Sequence, residues 1–298
     1  MGKLIRAITN DGAVLCAAVD STDMAARAEQ IHKSSATVSA AMGRLLTAAS
    51  MMGAAMKDEG DSVTLRVNGN GPVGSIIAVA DSDGNVRVTV GNPIVELPLN
   101  DKGKLDVGGA VGTDGFLSVI RDRGYGAEPQ TGYSPLVTGE IGDDLTYYFA
   151  NSEQIPTVCA LGVLVNPDLT VSAAGGYLLQ LLPGADDDTI AQIEKNIAAI
   201  PATSAMLRDG MTPLEILTKA LDGFTLEVIE EHDVCYRCDC SRERVERALL
   251  SMGADELSHL ADEQPVTNVA CHFCERSYDF TSDELRRLLA EAKKPSDR

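Results

Sequence analysis

The chain has 298 residues, 44% of them hydrophobic, which is enough for a buried core in one large or two modest globular domains. Lys and Arg number 25 against 44 Asp and Glu, and the formal charge of −19 repels phosphate backbones and anionic membranes. Tryptophan is absent and aromatics are only 4%, so a core must rest on Val, Ile, Leu, Ala and Met.

The start, Met1-Gly-Lys-Leu-Ile-Arg, has no signal-peptide apolar region, and no apolar run reaches spanning length, so a soluble cytoplasmic protein is expected. Leu4 to Thr9 and Ala13 to Val19 flank Asn10-Asp11-Gly12, a hairpin signal because such a turn needs positive φ. From Asp23 to Met56 the spacing of Ala, Ile, Leu and Met predicts two helices rich in small residues and closely packed, with the methionines from Met51 to Met56 as core filler. Val63 to Val67, Ser75 to Ala80 and Val86 to Val90 read as consecutive antiparallel strands. Gly69-Asn-Gly71-Pro-Val-Gly74 matches a dinucleotide fingerprint in letters only: it runs into a strand, whereas a phosphate loop must open a helix. Asp81-Ser-Asp83-Gly84-Asn85 lacks the length and closing Glu of a calcium loop and reads as a hairpin turn.

Residues 101–135 look Gly-rich and irregular around a strand from Phe116 to Arg121. Glu140 to Gln154 has helical spacing, and Val158 to Val165 and Leu169 to Ala174 read as strands. Cys16 and Cys159 fall within strands and are expected to be small buried residues. Gly175-Gly176 marks a change of character. Beyond it Asp186-Asp187-Asp188 opens a helix with Ile190, Ile193 and Ile197 on one face. Thr212-Pro213 caps another with Leu214, Leu217 and Leu221 as its stripe and Gly223 as its stop. Residues 181–230 are therefore expected to be helical and amphipathic, too small to bury their own apolar face, and docked on something. Further on, Ser241 caps a helix through Leu250, a second helix spans Asp255 to Ala261, and Thr281-Ser-Asp-Glu284 is a capping box for the last.

Five of the seven cysteines crowd into Cys235-Tyr-Arg-Cys238-Asp-Cys240 and Cys271-His-Phe-Cys274. Two close pairs brought together by an intervening loop are what a tetrahedral zinc ion needs. Spacing alone favours Cys235 with Cys238 opposite Cys271 and Cys274, and leaves Cys238 with Cys240 open. His232, His259 and His272 lie nearby but a four-thiolate site needs no imidazole. Arg237, Arg242, Arg244 and Arg247 form a local basic patch, read as support for thiolates or as a solvated helix face.

The run Cys238-Asp-Cys240-Ser-Arg-Glu-Arg with Cys271-His-Phe-Cys274 resembles the heat shock protein 33 family of redox-regulated chaperones. Gly139-Glu-Ile-Gly-Asp-Asp-Leu-Thr-Tyr-Tyr-Phe-Ala-Asn-Ser-Glu-Gln-Ile-Pro156 resembles its N-terminal domain, and Gly210-Met-Thr-Pro-Leu-Glu-Ile-Leu217 its linker, so the likeness runs along the whole chain. The resemblance implies an α+β fold: an N-terminal mixed α/β core domain with antiparallel sheet (1–180), a helical amphipathic linker (181–230) and a small C-terminal zinc-binding redox-switch domain (231–298). It implies Cys238, Cys240, Cys271 and Cys274 as ligands of one zinc ion, with Cys235 as the departure that could serve as an alternative ligand or divert disulfide pairing. It further implies disulfides of Cys238 with Cys240 and of Cys271 with Cys274, which close spacing permits. The function implied is an ATP-independent holdase, not an enzyme. Reduced and zinc-bound it is inactive; oxidised it is disulfide-bonded, zinc-free and a homodimer that holds unfolding client proteins. The physics agrees: zinc-bound thiolates are nucleophiles toward peroxide, and a segment of roughly sixty residues has too small a core to fold without its metal.

Two other functions compete. A zinc-ribbon nucleic-acid regulator would need basic surface that the charge of −19 opposes, so no nucleic-acid or membrane partner is expected. A thiol-disulfide oxidoreductase would need its dithiol at a helix N-terminus, whereas Val266 to Phe280 reads as a strand-turn-strand knuckle.

Overall fold

The computed structural model describes residues 1–124 and 126–292. It divides into two compact units, Met1–Arg237 and Cys238–Arg298. The first unit begins β1 (Gly2–Thr9), β2 (Val14–Asp20), α1 (Thr22–His32), α2 (Ala36–Ala54), β3 (Ser62–Asn68), β4 (Ser75–Asp81) and β5 (Val86–Val90). It continues through α3 (Val107–Val111), β6 (Phe116–Asp122), β7 (Gln130–Pro135), α4 (Gly142–Tyr148) with a π-type turn (Phe149–Glu153), β8 (Thr157–Val165) and β9 (Val171–Leu181). It ends with α5 (Asp187–Ala199), α6 (Thr203–Arg208), α7 (Pro213–Ala220) and β10 (Leu226–Val234).

These strands form two five-stranded sheets, ordered β10-β1-β2-β9-β8 and β5-β4-β3-β6-β7, with antiparallel pairing throughout. The first hairpin closes as expected: Gly12 takes φ 70°, and Asp11 accepts the Ala13 N–H at 3.0 Å. Helix α2 packs against strands of both sheets and is buried over nearly its whole length, Arg44 excepted. Its small residues explain how it fits. A Cβ on Gly43 would lie 2.8 Å from Val163, and one on Gly53 would collide with the Asp81 carbonyl. Its hydroxyls are satisfied inside: Thr47 meets Ser21 at 2.6 Å, and Ser50 donates to the Gly84 carbonyl at 2.6 Å. Met51 and Met52 are buried there as filler, while Met56 is half-buried.

Alternation in β1 and β2 sends residues to two buried faces. Leu4, Ala17 and Val19 join the core around α2; Ile5, Ala7, Cys16 and Ala18 join a second core beneath α5, α6 and α7. The amphipathic segment therefore docks on the opposite face of the first sheet. Helix α7 starts as its sequence dictates, with a Thr212–Glu215 capping box and Pro213 in the first turn. Its buried stripe is Ile216, Leu217, Ala220 and Leu221, while Leu214, assigned to that stripe from spacing, faces solvent. Burying Ile216, Leu217 and Leu221 contributes about 1.5–3 kcal/mol each.

Tertiary packing revised several boundaries. Gly175 and Gly176 lie inside β9, which runs on to Leu181. A side chain at Gly175 would collide with Leu207 of α6, and one at Gly176 would sit 2.7 Å from Leu161, so the glycines allow layers to close on the strand. Leu226–Val234, whose first residues were read as the end of the helical segment, is a strand paired to β1. Gln130–Pro135, within the stretch read as irregular, is an edge strand paired to β6. The Gly69–Gly74 turn packs on α3, Gly71 N donating to the Val111 carbonyl at 2.9 Å, and leads into strand β4 as read. The buried Asp144 carboxylate accepts N–H bonds from Val137 at 2.7 Å, Thr138 at 3.0 Å and Ile141 at 2.9 Å, holding Ile141 at φ 68°.

The second unit contains α8 (Arg242–Ser251), α9 (Ala254–Glu263), a hairpin of β11 (Val266–Ala270) and β12 (Ser277–Thr281), and α10 (Ser282–Ala292). Among its described residues the buried apolar ones are Leu249, Leu257, Ala261, Phe280 and Leu285. No helix among the described residues is long and apolar enough to cross a membrane.

Candidate metal centre

Two turns present the thiols. Between β11 and β12, Cys271 N donates to the Arg276 carbonyl at 2.9 Å, while Glu275 N returns to the Cys271 carbonyl at 2.8 Å with Glu275 at φ 58°. That knuckle turns Cys271 and Cys274 to one side, and it is the strand-turn-strand form expected from the sequence. The other pair, Cys238 and Cys240, directly precedes α8, whose N-cap Ser241 accepts the Arg244 N–H at 3.3 Å.

The four sulfurs of Cys238, Cys240, Cys271 and Cys274 lie within 4.8 Å of one another. The closest approaches run between the turns: Cys238 to Cys271 at 3.7 Å and Cys240 to Cys274 at 3.4 Å. Zinc–sulfur bonds of about 2.3 Å in a tetrahedron require sulfur–sulfur separations of about 3.8 Å. The donor set, all thiol and close to that spacing, fits zinc. A bound ion would hold these sulfurs as thiolates and tie the two turns together.

The surroundings tune the sulfurs unequally. Burial pushes the Cys238 thiol up, and neighbouring Cys271 adds to the effect. Burial also opposes ionisation of Cys240, but hydrogen bonds from Tyr278 and the neighbouring thiols outweigh it and bring Cys240 down to about 7. The Tyr278 hydroxyl lies 3.2 Å from the Cys240 sulfur. Neither Tyr278 nor Arg276 was singled out from the sequence. Arg276 is raised by Tyr278 first and then by the charges of Cys240 and Cys274, which makes it a basic neighbour of these sulfurs. From the basic patch read in the sequence, Arg242 lies 4.2 Å over the Phe280 ring and pairs with Glu284 at 2.9 Å, bracing the small core. Arg237 lies in the first unit and pairs with Asp81 at 2.5 Å.

Cys235 also belongs to the first unit, outside the group of four. Its N–H reaches Asn85 Oδ1 at 3.1 Å and its thiol the same oxygen at 3.2 Å, while Val86 N donates to its carbonyl at 3.1 Å. The histidines are occupied elsewhere: His232 Nε2 sits 2.8 Å from the Asp83 carbonyl, and His259 lies 3.5 Å from Glu263. His272 is not in the donor cluster. Of the two cysteines expected to be buried, Cys16 is, and burial pushes its thiol up to about 12. Cys159 is half-buried and lines a cavity, with its thiol raised by burial and then by Asp143.

The comparisons with known proteins agree with this geometry. The profile of the family described as Hsp33 protein matches residues 2–281. The 33 kDa chaperonin of Oceanobacillus iheyensis is 46% identical over 285 residues, covering 96% of this chain and 98% of that protein. The 33 kDa chaperonin of Clostridium beijerinckii is 44% identical over 291 residues, covering 98% of this chain and 99% of that protein. Among solved structures, the 33 kDa chaperonin (heat shock protein 33 homolog) of Thermotoga maritima superposes with a TM-score of 0.87 at 36% identity, covering 97% of this chain and 98% of that one. With a thiol quartet in its last unit and relatives matched from end to end, this chain belongs to the Hsp33 family of chaperones.

Proposed function

We propose that this protein is an ATP-independent holdase switched by oxidation, with Cys238, Cys240, Cys271 and Cys274 as ligands of one zinc ion in the resting, reduced form. The observation that carries the reading is the gathering of four thiols within 4.8 Å in a unit that, among its described residues, buries just Leu249, Leu257, Ala261, Phe280 and Leu285 as apolar core, with partly buried neighbours around them. Such a core is too small to hold the unit alone, so the thiols serve as both sensor and structural support. Peroxide takes two electrons from each pair: two thiolates released from the metal form one sulfur–sulfur bond, the peroxide oxygen–oxygen bond breaks, and with two protons taken from solvent the peroxide leaves as two waters. The donors are thereby consumed and the unit loses its support.

The bonds we assign are Cys238 with Cys240 and Cys271 with Cys274. In the folded unit the shortest separations instead cross between the turns, at 3.7 and 3.4 Å. Once the unit loosens, however, a cross-pair must close the chain over residues 241–270, whereas neighbours in sequence stay close, so loop-closure entropy favours the local pairs. Short rings of this kind are strained and readily reduced, which suits a reversible switch. Cys235 is kept from this chemistry in the resting form by its bonds to Asn85. In the oxidised form we assign residues 181–230 the role of a linker that leaves the first sheet, freeing the apolar stripe of α7 and the sheet face beneath it for unfolding clients, and the oxidised chains pair as homodimers.

The test is light scattering from a heat-unfolding client mixed with the reduced, zinc-loaded protein or with its peroxide-treated form, with zinc, free thiols, disulfide-linked peptides and molar mass measured on the same samples. Suppression by the oxidised form alone, with zinc lost, four thiols consumed and doubled mass, is expected. Equal suppression by both forms would leave an ordinary chaperone with a structural metal. No suppression by either would return the zinc-ribbon regulator to the front.

A further inference from the structure

A cavity of about 450 Å³ opens in the first unit between β8, the α4 start, the 100–105 loop and the corner joining α5 to α6. Its size is that of a small-molecule site. Ile197, Ile200 and Pro201 form one apolar wall, with Leu161 and Cys159 of β8 facing the same space. The same lining carries the bases Arg44, Lys102 and Lys104 and the acids Glu140 and Asp143.

Both acids are engaged. Glu140 pairs with Arg44, and Asp143 accepts a hydrogen bond from the Thr138 hydroxyl at 3.1 Å. The bases are less fully used. Arg44 directs one terminal nitrogen to the Glu140 carbonyl at 3.2 Å and to its carboxylate, while its Nε is buried without a partner. Lys102 and Lys104 make no ion pair among the described residues. In a chain of formal charge −19 the two unpaired lysines offer an anion positive charge at this cavity, and its apolar wall offers hydrophobic surface.

We propose that this cavity binds a small amphipathic carboxylate, its charged end met by Lys102 and Lys104 and its apolar body laid on Leu161, Ile197 and Ile200. The proposal rests on the geometry of the first unit and is independent of the redox reading. Because the occupant touches both the α5–α6 corner and β8, its binding favours the state in which they are together.

The experiment is a methyl NMR titration of the full-length, reduced, zinc-loaded protein with octanoate, followed at Leu161, Ile197 and Ile200, and repeated with octylammonium, which has a similar body and the opposite charge. Saturable shifts at these methyls with octanoate only are expected, weakened at least about tenfold in K102E/K104E, as loss of charge-assisted contacts predicts. Both lysines are exposed loop residues, so the double variant keeps the fold, and unchanged spectra elsewhere verify it. If reversal of both does disturb the loop, K102E alone carries the same comparison. No saturable shift, an equal response to octylammonium, or undiminished affinity in the folded variants would overturn the proposal.

Discussion

The two units reach order by different means. In Met1–Arg237, two sheets and α2 share one apolar core, and α5 to α7 cover a second face, so removing any one contact leaves many others. In Cys238–Arg298 the apolar core is a handful of residues beside four converging thiols. The contrast teaches where a chemical signal can be read. Oxidation of one side chain in the first unit would alter a small share of its stabilisation, whereas on the proposed reading oxidation of the thiol cluster would remove most of what holds the second together.

The largest effect expected is from the metal. Chelation of zinc, or Cys274→Ser, should abolish the second unit's order, a loss on the order of 10 kcal/mol. Hydrogen exchange should then run fast over 242–292 while the first sheet stays protected; equal protection in both units would erase the contrast. Next is Leu217→Ala, which opens the fully buried contact between α7 and the sheet and should cost about 2–5 kcal/mol. It should speed exchange across α5 to α7 and raise client suppression by the reduced protein. Unchanged suppression despite faster exchange would separate docking of this segment from activity.

Cys16 sharpens the comparison through pH. Its folded thiol is raised from 9.0 to about 12, chiefly by burial. The unfolded chain thus loses its proton first. The stabilisation from burying the neutral thiol is complete below pH 9 and is lost as pH rises toward about 12. Denaturant unfolding in that range should show a shallower alkaline decline for Cys16→Ala than for the natural chain, whatever the packing loss at neutral pH. An identical slope would assign the decline to other groups. The smallest effect is expected at Asn85→Ala, which removes the partner of Cys235 and should cost about 1 kcal/mol. Cys235 should then be alkylated faster in the reduced protein, and an unchanged rate would show that Asn85 does not shield it.

Much of the candidate site was legible because its constraints are local. The knuckle from Val266 to Phe280, the Ser241 cap and the Thr281–Glu284 capping box each depend on neighbours a few residues apart, and each formed as read. Tyr278 beside Cys240 and Arg242 over Phe280 had no such signal, since each contact joins residues well separated in the chain. Spacing favoured Cys235 and Cys238 as a pair, but Asn85, far away in sequence, takes Cys235.

What the amino-acid order determined by itself was everything governed by short-range stereochemistry and periodicity: the Asn10-Asp11-Gly12 hairpin, the small-residue helix α2, the cap at Thr212-Pro213 and the paired cysteines. Tertiary structure decided the rest. Leu226–Val234 is acidic and mostly exposed, without an apolar alternation to announce a strand, and it is extended because β1 offers it a row of backbone partners. Gly175-Gly176 looks like a break, yet the strand continues because absent side chains let α6 and β8 close upon it. Backbone hydrogen bonds and steric room between distant segments set these outcomes, and neither is written in any short stretch of residues.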